Sequence, residues 1–172
     1  QHEVFHDNRG YFFEAWNKFD FENKLGYPVD FCQLNQYHSE YGVLRGLHYQ
    51  LNPHAQGKLV RCSKGHIYDV IVDLRKDSNT YASWAGIELN EDKDQSIWIP
   101  PGFAHGFLTL SKTADIQYLV NKKWNRSLER CLIWNDKRIS IEWPFDIERI
   151  ILSSKDSNGL KLSELESSGD VF

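Results

Sequence analysis

The sequence predicts an all-β protein, a sandwich or barrel of about ten short strands with short helices only at its periphery. Two observations predict it. Runs rich in β-branched and aromatic residues recur at 9–16, 31–37, 44–51, 58–63, 66–74, 84–89, 96–99, 106–110, 115–120 and 131–134, with turn signals between them. Ahead of the C-terminal region only Asn17 to Leu25 reads as a helix, and Gly26 stands where a helix C-cap glycine belongs. A length of 172 residues suffices for one core, and no boundary suggests itself, so residues 1–172 are read as one domain.

Side-chain alternation refines individual strands. In 66–74 the even positions Tyr68, Val70, Val72 and Leu74 are apolar, while Asp69 and Asp73 alternate with Ile67 and Ile71 on the odd face. A carboxylate on that mixed face belongs either at a rim or in a polar site. His105, Phe107 and Thr109 share one face of the run that leaves Pro100-Pro101-Gly102. The serine-rich tail from Ser154 is expected to be loop or short helix.

A formal charge of −4 and a pI near 6.0 argue against nucleic acid or an anionic membrane as the partner. No run of about twenty apolar residues is present, so no spanning helix is expected. Cys32, Cys62 and Cys131 are odd in number and unpaired by spacing, which suits a reducing, cytoplasmic compartment and small buried residues. No Met occurs anywhere, so a segment upstream of Gln1 is expected to be lacking.

The densest polar feature is Arg45-Gly46-Leu47-His48-Tyr49-Gln50, inside a strand-like run. Strict alternation sends Arg45 and His48 to opposite faces, but a bulge at Gly46 would bring both to one site. By itself His48 reads as a structural histidine. Pro100-Pro101-Gly102-Phe103-Ala104-His105 looks like the second motif of the cupins, which often hold a metal through His-x-His, a Glu and a later His. His48-Tyr49-Gln50 supplies only one imidazole, so no catalytic metal and no cofactor is expected.

Longer strings carry a more specific resemblance. Asp7-x-Arg9-Gly10-x-Phe12-x-Glu14, Gln33-x-Asn35, the Arg45 to Gln50 run, Gln56-Gly57-Lys58-Leu59-Val60 and Asp69-Val70-x-Val72-Asp73-Leu74-Arg75 occur in that order. Ile99-Pro100-x-Gly102-Phe103-Ala104-His105-Gly106-Phe107, Tyr118, Trp134-Asn135-Asp136, Ile141-x-Trp143-Pro144 and Leu152-Ser153-x-Lys155-Asp156 follow. Together they resemble the dTDP-4-dehydrorhamnose 3,5-epimerase family over nearly the whole chain.

The resemblance implies a cupin, or jelly-roll, β-barrel that epimerises carbons 3 and 5 of a 4-keto-6-deoxy nucleotide sugar through an enolate. It implies His48 as base, Asp156 as its orienting carboxylate, Lys58 as enolate stabiliser and Tyr118 as acid from the other ring face. It assigns Arg45 and His105 to the sugar or diphosphate, and Arg9, Glu14, Gln33 and Asn35 to the nucleotide end. Trp124 stands where the family commonly has an aromatic to stack near the base, more usually a tyrosine. Asp69 is either a partner that orients His105 or a rim carboxylate. His38, His54 and His66 match no catalytic position. The family is usually a homodimer with exchanged N-terminal strands, so residues near Arg9 are expected to complete the neighbour's site. Two rival readings stay open: a single-site epimerase or ketoisomerase, and a non-catalytic sugar-nucleotide-binding cupin.

Overall fold

A computed structural model describes residues 3–93 and 95–172. It contains a two-stranded ribbon, β1 (Val4–Asp7) with β2 (Gly10–Phe13), and two larger antiparallel sheets. The four-stranded sheet runs β3 (Gln33–Glu40), β10 (Thr113–Val120), β5 (Lys58–Lys64), β8 (Ile97–Ile99). The five-stranded sheet runs β11 (Glu129–Cys131), β4 (Leu44–Gln50), β9 (Phe103–Thr109), β6 (His66–Asp73), β7 (Trp84–Asn90). The all-β jelly-roll expectation holds, with non-sequential neighbours in both sheets.

The central strands of the five-stranded sheet are buried on both faces, which explains why β6 and β9 read as nearly unbroken apolar runs. Val60, Cys62, Ile67, Ile99, Phe107 and Ile116 pack between the sheets. On the other face Leu44, Leu47, Val70, Val72, Leu74 and Leu108 meet Leu132, Trp143, Leu162 and Leu165 from the C-terminal segment. The apolar even face of β6 therefore looks towards that segment, and its odd face looks inward. Asp73, at the strand end, is held by Arg75, Ser78 and Thr80.

α1 (Lys18–Leu25) begins after Asn17, whose side chain accepts the N–H groups of Phe19 and Asp20, and ends at Gly26 with φ 77°. The polar tail forms α2 (Ser154–Ser157) and α3 (Leu162–Ser168), anchored by the fully buried Leu162 and Leu165.

Two expectations need correction, and one strand was not foreseen. Val4–Asp7 is a strand, which its mixed composition hid: the turn that pairs it with β2 is closed by Asp7, whose carboxylate accepts the Arg9 N–H at 2.8 Å. The last strand ends at Cys131, where strand 131–134 was expected: Leu132 still exchanges backbone hydrogen bonds with Leu47 of β4, but beyond it the Ile133 N–H turns to the Leu160 carbonyl at 2.8 Å. Of the cysteines, Cys62 is buried, Cys131 is half-buried and Cys32 is exposed, since it immediately precedes the edge strand β3.

Candidate active site

A cavity of about 300 Å³ opens between the sheets. β4 contributes Arg45 and His48, and β9 contributes His105 and Phe107. From the opposite sheet come Gln33, Asn35 and Tyr37 of β3, Lys58 of β5 and Tyr118 of β10. Trp124 lines it from the connection into β11, and Glu129 from the start of β11.

Arg45 and His48 reach one face through an irregularity in β4. Arg45 pairs with Phe107 and His48 with His105, so three steps along β4 match two along β9. Gly46 permits this: its φ is 122°, and a Cβ there would lie 2.6 Å from the Gly106 Cα and 2.7 Å from the His105 carbonyl oxygen.

His48 Nε2 lies 2.6 Å from the buried Asp156 Oδ1. The second carboxylate oxygen accepts the Ser153 hydroxyl at 2.8 Å, and Ser153 also caps α2. Burial pushes the Asp156 carboxyl up, but the His48 hydrogen bond and charge, with the Ser153 hydroxyl, outweigh it and hold it below its ordinary value. An ionised carboxylate only accepts, so it keeps the proton of the neutral imidazole on Nε2 and leaves Nδ1 as the basic nitrogen.

Lys58 is buried, and its Nζ donates to the His48 carbonyl at 3.1 Å. Burial lowers its pKa to about 8 despite the opposing pull of Asp69. At neutral pH it is still mostly an ammonium, a positive charge in a poorly solvated place. Tyr118 is shifted the other way: burial first, then the adjacent Tyr37, raises its phenol well above the ordinary value, so it keeps its proton.

His105 Nε2 lies 2.8 Å from Asp69 Oδ2, both side chains buried. Asp69 is thus the partner of His105 and no rim carboxylate. Burial lowers the His105 pKa, with Asp69 opposing, which favours a neutral ring. Arg45 is aimed by Nε donating to Ser39 Oγ at 2.8 Å and by its guanidinium lying 4.7 Å over the Tyr37 ring. Gln33 and Asn35 share a face of β3 and bond to each other at 2.6 Å.

The cavity therefore gathers His48, Lys58, Tyr118, Gln33, Asn35, Arg45, His105 and Trp124, with Asp156 behind His48. Arg9 and Glu14 stand elsewhere: Arg9 is exposed on the β1–β2 ribbon, paired with Asp7, and Glu14 borders a separate cavity of about 690 Å³ beside α1. Tyr37 and Glu129 are among the lining residues that the sequence reading did not assign to the site. Tyr37 follows Gln33 and Asn35 at strand period, a signal that could have found it. Glu129, the first residue of β11, is ion-paired to Lys155 at 2.7 Å and had no such signal.

Among the described residues, His48, Cys131 and Asp156 form a group whose metal-capable atoms lie within 4.8 Å of one another. Two of them already bond to each other. Burial pushes the Cys131 thiol up to about 12, which disfavours the thiolate a metal would need. The set suits a hydrogen-bonded dyad better than a cation.

The sequence model of a family described as dTDP-4-dehydrorhamnose 3,5-epimerase matches residues 1–164. A dTDP-4-dehydrorhamnose 3,5-epimerase of Shigella flexneri is 48% identical over 164 residues, 95% of this chain and 90% of that one. The crystal structure of a dTDP-6-deoxy-D-glucose-3,5-epimerase from Legionella pneumophila, in complex with dTDP-4-keto-L-rhamnose, aligns with TM-score 0.93 and 38% identity, covering 99% and 89% of the two chains. That of the Bacillus anthracis dTDP-4-dehydrorhamnose 3,5-epimerase, with TDP and PPi bound, aligns with TM-score 0.90 and 43% identity, covering 94% and 91%.

Proposed function

Since the chain belongs to the dTDP-4-dehydrorhamnose 3,5-epimerase family, we infer that its inter-sheet cavity binds dTDP-4-dehydro-6-deoxy-D-glucose and inverts carbons 3 and 5, giving dTDP-4-dehydro-L-rhamnose. The chain is an isomerase acting on carbohydrates. The single observation that carries the assignment of roles is that His48 and Tyr118 enter one cavity from opposite sheets. An epimerase must take a proton from one face of the sugar ring and return one to the other.

The hydrogens on carbons 3 and 5 flank the 4-keto group, so removing either yields an enolate with its charge on the carbonyl oxygen. His48 is the base, and the Asp156 carboxylate orients it and stabilises the imidazolium. Lys58 provides the cation for the enolate oxygen. Tyr118 gives its phenolic proton to the carbon from the far side. Arg45 and the neutral His105 hold the sugar diphosphate; Gln33, Asn35 and Trp124 meet the nucleoside.

The hairpin β1–β2 supports a homodimer. Phe5, Tyr11 and Phe12 are 55%, 64% and 66% exposed on it, and a two-stranded ribbon is marginal without a surface to cover. Docked on a second copy, it would carry Arg9 and Glu14 to the neighbour's cavity. No helix among the described residues is long and apolar enough to cross a membrane; the three free thiols support a cytoplasmic location.

Incubation with dTDP-4-dehydro-6-deoxy-D-glucose in heavy water tests the reading. Deuterium should appear at both carbons 3 and 5 of an inverted product. Label at one carbon only selects a single-site epimerase, and label at neither sinks the assignment.

A further inference from the structure

Tyr37 has no role in the scheme above, yet it touches two of its members. It lies on β3 opposite Ile116, and Tyr118 lies opposite Asn35, so the two tyrosines are diagonal neighbours across the β3–β10 pair. Their rings stack with centroids 5.5 Å apart and planes 22° apart. The Phe107 ring, from the opposite sheet, meets Tyr37 at 6.0 Å and 49°. The Arg45 guanidinium lies 4.7 Å over the same Tyr37 ring.

We propose that Tyr37 is a positioning residue for the proton-returning step: its ring, braced by Phe107 and Arg45, sets the aim of the Tyr118 hydroxyl at the sugar carbon. A phenol has two torsions, and a β-strand leaves more than one rotamer open to it. Stacking on a ring that is itself held removes that freedom. The same ring supports Arg45, so the group that grips the diphosphate and the group that returns the proton share one wall. The inference rests on the functional reading given above.

The consequence is specific because enolate formation and its quenching use different faces. Once His48 has taken a proton, the imidazolium exchanges with solvent. If Tyr118 is well aimed, its proton reaches the carbon from the far side, and the centre inverts. If it is not, the imidazolium returns its own, now solvent-derived, hydrogen to the same face, giving exchange with retention. Retention returns the His48 proton to carbon and restores the base directly; after inversion the imidazolium releases its proton to solvent and the Tyr118 phenolate takes one up, which resets the site.

The test compares Tyr37→Ala, Tyr37→Leu and Tyr37→Phe with the unmodified protein in heavy water, reading deuterium in recovered substrate against deuterium in inverted product. Removing the ring should raise the ratio of retained exchange to inversion by about tenfold or more, as expected when a reacting group is displaced by a fraction of an ångström. Tyr37→Leu preserves apolar bulk at this half-buried site should the alanine variant fail to fold. Tyr37→Phe, which keeps the ring, should stay within about twofold of the unmodified ratio. An unchanged ratio in Tyr37→Leu, whatever the fall in overall rate, overturns the inference. A Phe variant that behaves like the Leu variant overturns it too, because the hydroxyl and not the ring would then be responsible. Unmodified protein that neither exchanges nor inverts would instead sink the functional reading on which the inference stands.

Discussion

Replacing Lys58 with methionine should make the protein more stable and nearly inactive. Lys58 is a charge kept in the interior, with its pKa lowered from 10.5 to about 8, chiefly by burial. At about 1.4 kcal/mol per tenfold change in proton affinity, that fall amounts to about 3 kcal/mol of folding stability forgone at neutral pH. Methionine, of similar length, removes the charge but also the 3.1 Å contact to the His48 carbonyl, a loss of about 1 kcal/mol. The net gain is about 2 kcal/mol, a rise in melting temperature of roughly 4–8 °C for a domain of this size. The pH dependence has a definite sign. Between about pH 8 and 10.5 the unfolded chain holds a proton on Lys58 that the folded chain has released, so raising pH favours the native state. The advantage of Lys58→Met is therefore full below pH 8 and gone by pH 10.5. Its epimerase activity should fall by about 10²- to 10³-fold, the usual effect of deleting one oxyanion partner. Thermal melts of both proteins from pH 7 to 10.5, with turnover measured alongside, check this. A variant that melts no higher than the parent at pH 7, or whose advantage does not shrink with pH, would refute the argument.

Other perturbations reach different parts of the molecule. Asp156→Asn presents an amide to His48 Nε2 and should lower kcat by about 10²- to 10⁴-fold with KM little changed, as steady-state kinetics will report. Because the Asp156 carboxyl sits below its ordinary 3.8 in the folded protein, its stabilising contribution is present above that pH and lost as pH falls through the folded value; acid titration of the Asn variant should lack that loss. Gly46→Ala forces a Cβ to within 2.6 Å of the Gly106 Cα and should destabilise by about 3 kcal/mol or more in denaturant titration. Exchanging both Phe5 and Phe12 for serine should convert a dimer to a monomer in sedimentation and depress turnover. Unaltered mass would remove the hairpin from the interface.

Alternation made much of the fold legible before any coordinates. The even face of β6 faces the C-terminal segment and the odd face looks inward, as its residue types require, and the helix after Asn17 ends at Gly26. The bulge at Gly46 was also readable, because two polar side chains three apart in a strand can meet only if one residue is looped out. What stayed hidden depends on packing between distant segments. Nothing local says that the strand ends at Cys131 as Ile133 turns to the Leu160 carbonyl, which of its two readings Asp69 takes, or that Glu129 reaches the cavity. The roles proposed for Lys58 and Tyr118 rest on family likeness, since each alone looks like an ordinary strand residue.

The carboxylate behind His48 comes from the segment that seals the outer face of the five-stranded sheet. Both sheets, and with them His48, Lys58 and Tyr118, precede that segment along the chain. A polypeptide that had paired its strands but not yet laid this cover down would own a pocket and an unassisted imidazole. With the roles proposed above, full turnover requires that the hydrophobic back of the sheet be closed, since that closure is what delivers the carboxylate. A copy lacking this cover would turn over far more slowly, as the Asp156→Asn variant is expected to.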